Sequence, residues 1–278
     1  MSRATARLFL HSLRRFNHSR PQFQETLTFE LSQPPCPTWK LGDGASWQAE
    51  YEKTPRKTWV MKDTSKQDAY RLLTSAIIPR PIAFVSSLAS DGTPNVAPFS
   101  YFSMVSHNPP LISVSFLLSP KRPKDTRENI LNTKEFTVNI ISENFIEAAN
   151  ACSVEAPAHV DEWIVSGLTM EPSQEVKPPC VKESAVSMEC NLHFHHDVTP
   201  LDSHEVTTTI VLGLIKQIHV RESVLSPDGL QVDPALLRPV ARLGGTSYSR
   251  LTHGFGIPRI SWKKTSDEIA RLTEKQCS

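Results

Sequence analysis

PRPIAFVSSLASDGTPNVAPFSYFSMVSHNPPLISVSFLLSPKRPKDTRENIL, residues 79–131, is the stretch from which the fold is read. An apolar run over 82–88 closes on Ser86, Ser87 and Leu88, and Ser90-Asp91-Gly92-Thr93 follows. Gly92 stands where a tight hairpin turn needs positive φ, so the chain is expected to fold back as a second strand over 95–106. Pro98 inside that strand cannot donate to a ladder, which predicts an edge position or a bulge. In a third strand, Leu111 to Leu118, residues Ile112, Val114, Phe116 and Leu118 share one face while Ser113 and Ser115 share the other. Asp125 with Glu128 three residues later then reads as a capping-box start for a short helix running to about Leu131.

Two physical readings suit this stretch. Small hydroxyl residues alternate with apolar ones, and the run closes with Lys124 and Thr126 at a helix N-terminus, where backbone N–H groups and the helix dipole favour a phosphate. Those groups would suit a flat aromatic ligand carrying a phosphate. The same pattern also suits an ordinary hairpin with a solvated serine face.

Outward from this stretch, Asp68 to Leu73 predicts a short helix before Pro79 and Pro81 force extended backbone. Phe136, Val138 and Ile140 alternate as a strand, and a helix is expected from about Glu143 to Ala151. Residues 153–184 form an acidic, proline-containing excursion, 186–198 and 204–220 read as long strands, and 261–278 as a charged amphipathic helix. Short strands punctuated by turn signals predict a mainly β fold, an antiparallel barrel with a few short helices. Pro34 to Thr58 is too rich in proline and glycine for regular structure and is expected to be an irregular arm, which Trp39, Trp47 and Trp59 would anchor to the barrel or a second subunit.

Several motifs occur together in order: Arg80-Pro81-Ile82-Ala83, Asp91-Gly92, Asn95-Val96-Ala97-Pro98-Phe99-Ser100-Tyr101-Phe102, Asn108-Pro109-Pro110, Lys124-Asp125-Thr126 with Asn129-Ile130, and Arg242-Leu243-Gly244-Gly245 with Tyr248. In these the chain resembles the flavin reductase-like family of FMN-binding split barrels, over about Lys62 to Tyr248. The resemblance implies a Greek-key split β-barrel over 62–250, flanked by a leader (1–24), the arm (25–61) and a tail (251–278). It also implies bound FMN rather than FAD, NAD(P)H as a transient hydride donor, free flavin or another small molecule as acceptor, a homodimer, and a partner oxygenase as one destination for reduced flavin.

Carried onto this sequence, the resemblance places Ser86 and Ser87 by the ribityl and phosphate region and Asn95, Ser100, Tyr101, Phe102 and Ser103 along the flavin. It places Lys124 and Thr126 on the phosphate, with Arg80 as a further phosphate partner and Asn129 supporting the turn. His204 is the one expected catalytic side chain, although Asp202-Ser203 precede it where similar reductases have Gly-Asp. A second reading of the same site is an FMN storage or sensing module without turnover.

The charge balance, 30 Lys and Arg against 29 Asp and Glu, opposes a basic nucleic-acid surface. Cys36, Cys152, Cys180, Cys190 and Cys277 are odd in number and form no Cys-x-x-Cys pair, which fits a reducing compartment. His193, His195 and His196 with Asp197 invite a metal reading, but strand alternation lets only two converge, so no metal is expected there. No apolar run approaches the roughly 20 residues of a spanning helix, and no membrane contact is expected. Residues 1–24 hold Arg3, Arg7, Arg14, Arg15 and Arg20, serines, an apolar set around Phe9 and Leu13, and no acid. That composition predicts a mitochondrial transit peptide and a matrix location, with a basic tail on a cytoplasmic protein as the alternative.

Overall fold

The computed structural model describes residues 29–45, 53–119, 124–154, 156–157, 160–201 and 203–277. The leader, Trp47, Lys121, Arg122, His159 and Asp202 therefore lie outside the described residues.

After the short strand β1 (Glu30–Ser32), helix α1 (Lys66–Ala76) begins two residues before the expected Asp68, because Ser65 is its N-cap and accepts from Asp68 N at 3.1 Å. Strand β2 (Ala83–Leu88) turns at Gly92, φ +90°, into antiparallel β3 (Pro94–Phe99). The expected single strand over 95–106 is in fact two, since the ladder breaks at Ser100-Tyr101 before β4 (Phe102–His107). β5 (Pro110–Leu117) and helix α2 (Asp125–Thr133) follow, then β6 (Glu135–Ile140), α3 (Ile146–Ala151), α4 (Glu162–Ser166), β7 (Met170–Glu171) and β8 (Cys180–Val181). The long strands β9 (Val186–Val198) and β10 (Thr208–Val220) lead to α5 (Pro234–Leu237), β11 (Val240–Arg242), β12 (Tyr248–Arg250), β13 (His253–Phe255) and α6 (Trp262–Cys277).

Seven strands form one antiparallel sheet in the order β3-β2-β6-β9-β10-β5-β4. β3 and β4 are successive in the chain yet stand at opposite ends of that order, so the sheet must curl until its edges face each other across the Ser100-Tyr101 corner. Ser115 N donates to Tyr101 O at 2.9 Å there. The fold is thus a split β-barrel, and Pro98 lies on its edge strand.

β2 is buried on both faces, which explains why Ala83, Phe84 and Val85 are apolar without alternation. Ala83 and Val85 join Ile112, Val114, Phe116, Ile130, Phe136 and Val138 inside the barrel, while Phe84 packs outside with Val96, Phe145, Ala149, Cys152 and Trp163. Each fully buried Val, Ile or Phe among them contributes about 1.5–3 kcal/mol. β5 keeps only one face inward and shows the expected alternation.

Residues 34–45 and 53–58 hold no helix or strand, while just before them β1 pairs in parallel with β13, and a Cβ placed on Gly42 would lie 3.1 Å from Leu272 of α6. Trp39 and Trp59 remain 45% and 41% exposed, so within this chain neither is a buried anchor. Among the described residues no helix is long and apolar enough to cross a membrane.

Candidate functional site

β2, β3 and the first turns of α2 meet in a buried polar network. Thr126 Oγ1 donates to Asn95 Oδ1 at 2.6 Å, Asn129 Nδ2 donates to Ser87 Oγ at 3.1 Å, and Ser87 Oγ lies 3.5 Å from Asn95 Oδ1. Asn95 Nδ2 reaches across to Glu162 Oε2 at 3.2 Å, tying α4 to the same group. All five residues are buried, so these bonds take the place of water. Burial pushes the Glu162 carboxyl up, and its hydrogen bonds, the Asn95 side chain's among them, only partly offset this.

The network fixes where α2 begins. Its N-cap is Lys124, in extended backbone, with no side-chain cap. A lysine has no acceptor atom, unlike the Ser, Thr, Asp or Asn usual at this position, so the first-turn N–H groups keep no capping partner from it. The capping box expected from Asp125 and Glu128 does not form. Asp125 falls one place inside the helix, and Glu128 instead takes Arg127 Nη1 at 2.6 Å. Arg127 also donates from Nε to Thr209 Oγ1 at 3.0 Å and from Nη2 to Asp197 at 3.1 Å, which ties α2 to β9 and β10. The Thr209 hydroxyl holds the Asp197 carboxyl below its ordinary range, burial opposes this, and Arg127 adds to the lowering. Asp197 is therefore committed to these partners, and its neighbours His193, His195 and His196 are exposed.

Other expected site residues divide sharply. Ser86 faces away from Ser87, as strand alternation requires, on the side of Phe84 and the outer core. Its buried Oγ has no hydrogen-bond partner among the described residues, so only Ser87 of the pair joins the network. Arg80 is buried and turned to the protein: Nη1 donates to Thr74 O (2.5 Å) and Ile77 O (2.8 Å), Nη2 to Leu243 O (2.9 Å), and Nε lies 3.4 Å from Ser100 Oγ. It closes the C-terminal end of α1, where a cation also suits the helix dipole. As a direct phosphate partner it would have to release these carbonyls.

Ser100, Tyr101 and Phe102 are half-buried at the split-barrel corner and Ser103 is exposed. Burial raises the Tyr101 phenol. His204 is exposed in the β9–β10 connection, outside the long strand expected from 204. Leu118 N donates to Thr207 O at 2.9 Å, which puts that connection beside the end of β5 and the same end of the barrel as α2. Glu162, Arg127 and Asp197 had no local sign in the sequence as site neighbours. Their partners lie 67, 82 and 70 residues away, and no spacing rule spans that distance.

The arrangement offers a helix start with no side-chain cap from its N-cap residue and an adjacent ammonium, braced from behind, and a half-open corner lined by hydroxyl and aromatic groups. Such a site can hold an anionic, flat ligand without a side-chain nucleophile.

Comparison with known proteins bears on the fold. The family model described as flavin reductase like domain matches residues 75–237. Nitrilotriacetate monooxygenase component B from Bacillus cereus is 33% identical, with a TM-score of 0.70, covering 73% of this chain and all of that one (100%). The 2-nitrobenzoate 2-nitroreductase NbaA of Pseudomonas fluorescens is 29% identical, with a TM-score of 0.63, covering 74% of this chain and 95% of that one. A protein with a split barrel domain from Shewanella frigidimarina NCIMB 400, 23% identical with a TM-score of 0.60 over 72% of this chain and 95% of that one, shares the fold.

Proposed function

The chain belongs to the flavin reductase-like domain family, and from that premise we propose that it is an FMN-dependent oxidoreductase carrying reducing equivalents from NAD(P)H to free flavin or another small acceptor. The observation that carries this reading is the start of α2, where a lysine with no acceptor atom replaces a cap and a buried network braces the turn behind it.

The Lys124 ammonium and the first-turn N–H groups of α2 hold the phosphate. Thr126, Asn95, Asn129 and Ser87 keep that turn in place, because their own donors and acceptors are already matched to one another. Ser100, Tyr101, Phe102 and Ser103 line the ring, and Arg80 braces their corner through Ser100. FMN, when bound, supplies the hydride chemistry, and the chain contributes position and exclusion of water. His204, exposed at the same end of the barrel, faces the nicotinamide donor.

The Bacillus cereus neighbour is a component of a monooxygenase, which supports a partner oxygenase as one destination for the reduced flavin. The free edge of β4, with Met104 70% and Val105 50% exposed, supports a homodimer.

The decisive experiment is anaerobic. The purified chain is titrated with FMN, then NADH or NADPH is added while the visible spectrum is recorded. Bleaching within the mixing time to minutes supports turnover, and bound FMN that neither donor bleaches identifies a storage or sensing module instead. FMN affinity unchanged in a Lys124→Ala, Thr126→Ala double variant would remove the phosphate from α2.

A further inference from the structure

On the opposite side of the sheet from the inner core, three side chains of different chemistry converge. Glu189 in β9 and His219 in β10 are diagonal neighbours, since His219 is paired with Ser187, two residues from Glu189 on the same face. Cys180 reaches them from β8, in the small β7–β8 hairpin. One ligand atom from each, Cys180 Sγ, a Glu189 carboxylate oxygen and a His219 ring nitrogen, all lie within 4.8 Å of one another. Cys180 and Glu189 are buried at 3% and 0% exposure, and the His219 side chain is 36% exposed.

The carboxylate is held still. Gln174 N donates to Oε1 at 2.8 Å, and Glu175 N and Val176 N donate to Oε2 at 2.6 and 3.0 Å. Oε1 also meets His219 Nε2 at 2.6 Å. A ligand oxygen fixed by backbone donors is what a preorganised metal site requires. Beside the three groups lies a cavity of about 290 Å³, bordered by Cys180, Ser187, His219 and Arg221, with room for water as a further ligand.

We propose that Cys180, Glu189 and His219 bind one divalent cation of the zinc class, with the remaining position open to that cavity. Sulfur, imidazole nitrogen and a single carboxylate are a borderline-soft donor set that suits zinc and not magnesium or calcium. Bond lengths of about 2.0–2.3 Å require the ligand atoms to stand roughly 3–4 Å apart. Glu189 Oε1 and His219 Nε2 must therefore part slightly, and His219, which borders the cavity, is the one free to swing. The ion takes the place of the proton shared between them. The His219 proton is taken up at Nδ1, so that the ring binds through Nε2 as a neutral imidazole, and the thiol proton of Cys180 leaves to solvent, so charge and protons balance with no redox partner. Bound there, the ion pins the β7–β8 hairpin to the sheet, a role independent of the proposed flavin site.

The test uses the full, untagged chain, reduced and stripped with chelator, then given zinc alone or cobalt(II) alone. Retention of one zinc per chain through gel filtration is expected. The cobalt form should show a thiolate-to-cobalt band in the near ultraviolet with visible bands of a tetrahedral ion. Cys180→Ser should abolish the near-ultraviolet band, and His219→Gln should weaken binding at least about tenfold. A His193→Ala, His195→Ala, His196→Ala variant should bind as the parent does. Failure of the parent chain to retain zinc, or a cobalt spectrum without the thiolate band, overturns the site whatever becomes of the variants. Loss of the ion in the triple-histidine variant assigns it elsewhere and overturns the site as well.

Discussion

Lys124 opposes stability and binding at one position. A residue able to accept from the first-turn N–H groups would cap α2 better, yet it would remove the ammonium and occupy the donors an anion needs. Lys124→Ser should therefore raise thermal stability by about 1 kcal/mol while weakening FMN binding. Lys124→Ala should weaken binding by roughly ten- to a hundredfold, the loss of one charge-assisted hydrogen bond worth about 1.5–3 kcal/mol. Thermal melts and FMN titrations by fluorescence separate the two effects, and equal FMN affinity in all three proteins defeats the assignment. Glu162 gives a prediction of pH dependence. Its folded-state pKa is raised above the ordinary 4.5 chiefly by burial, so the folded chain binds the extra proton more readily than the unfolded one. Its contribution to stability is present in full below pH 4.5 and is lost as pH rises through the higher folded value. Glu162→Gln keeps an oxygen for Asn95 Nδ2 and carries no charge. It should melt higher than the parent at pH 7, with the difference disappearing as the pH falls below 4.5. A gain of the same size at pH 4 and pH 7 would contradict this.

Elements meet through carbonyls and close approaches that local sequence does not encode. Arg80 joins the end of α1 to Leu243, 163 residues on, and to the corner serine. Its motif was legible, but its partners are backbone oxygens, which any residue supplies. Arg80→Met keeps the packing of the stem and removes the donor from the buried Thr74 carbonyl and the part-buried Ile77 and Leu243 carbonyls, a loss of about 3 kcal/mol by denaturant titration. If the variant is as stable as the parent but binds FMN poorly, Arg80 belongs to the phosphate after all. Gly213 in β10 is a second close approach: a Cβ there would lie 2.5 Å from Phe136 Cζ in the inner core. Phe136 is fully buried and cannot yield, so Gly213→Ala should destabilise by roughly 1–3 kcal/mol. β5 was readable because one face is inside and one outside, and its side chains report that directly. The start of α2 was misread by one residue because Asp125 and Glu128 have the right spacing for a cap. The buried bonds of Thr126 and Asn129 to the hairpin, which set the helix start, are tertiary.

At the scale of the whole molecule, the turn signals and the hydrophobic periods identified a β-barrel, and the family motifs supplied its split form. The break at Ser100-Tyr101 was not readable, because the chain leaves one sheet edge for the other there without a glycine or proline at the break. That crossing closes the barrel and leaves β3 and β4 as its free edges. β4 carries Met104 and Val105 exposed at a bulge in its pairing with β5, and its outer edge pairs with no strand among the described residues, an arrangement that in isolation invites uncontrolled pairing. Tyr101, Phe102 and Ser103, which we propose line the ring, stand just before and at the start of this same strand, so a partner seated on β4 would also shelter the corner from water. A Met104→Lys, Val105→Lys double variant should therefore sediment as a monomer where the parent sediments as a dimer. It should also bind FMN less tightly, while keeping a melting temperature close to that of the isolated subunit, because neither side chain packs in the core. A parent that is monomeric at micromolar concentration, or a monomeric variant with undiminished FMN affinity, would separate the corner from the edge and leave the site complete within one chain.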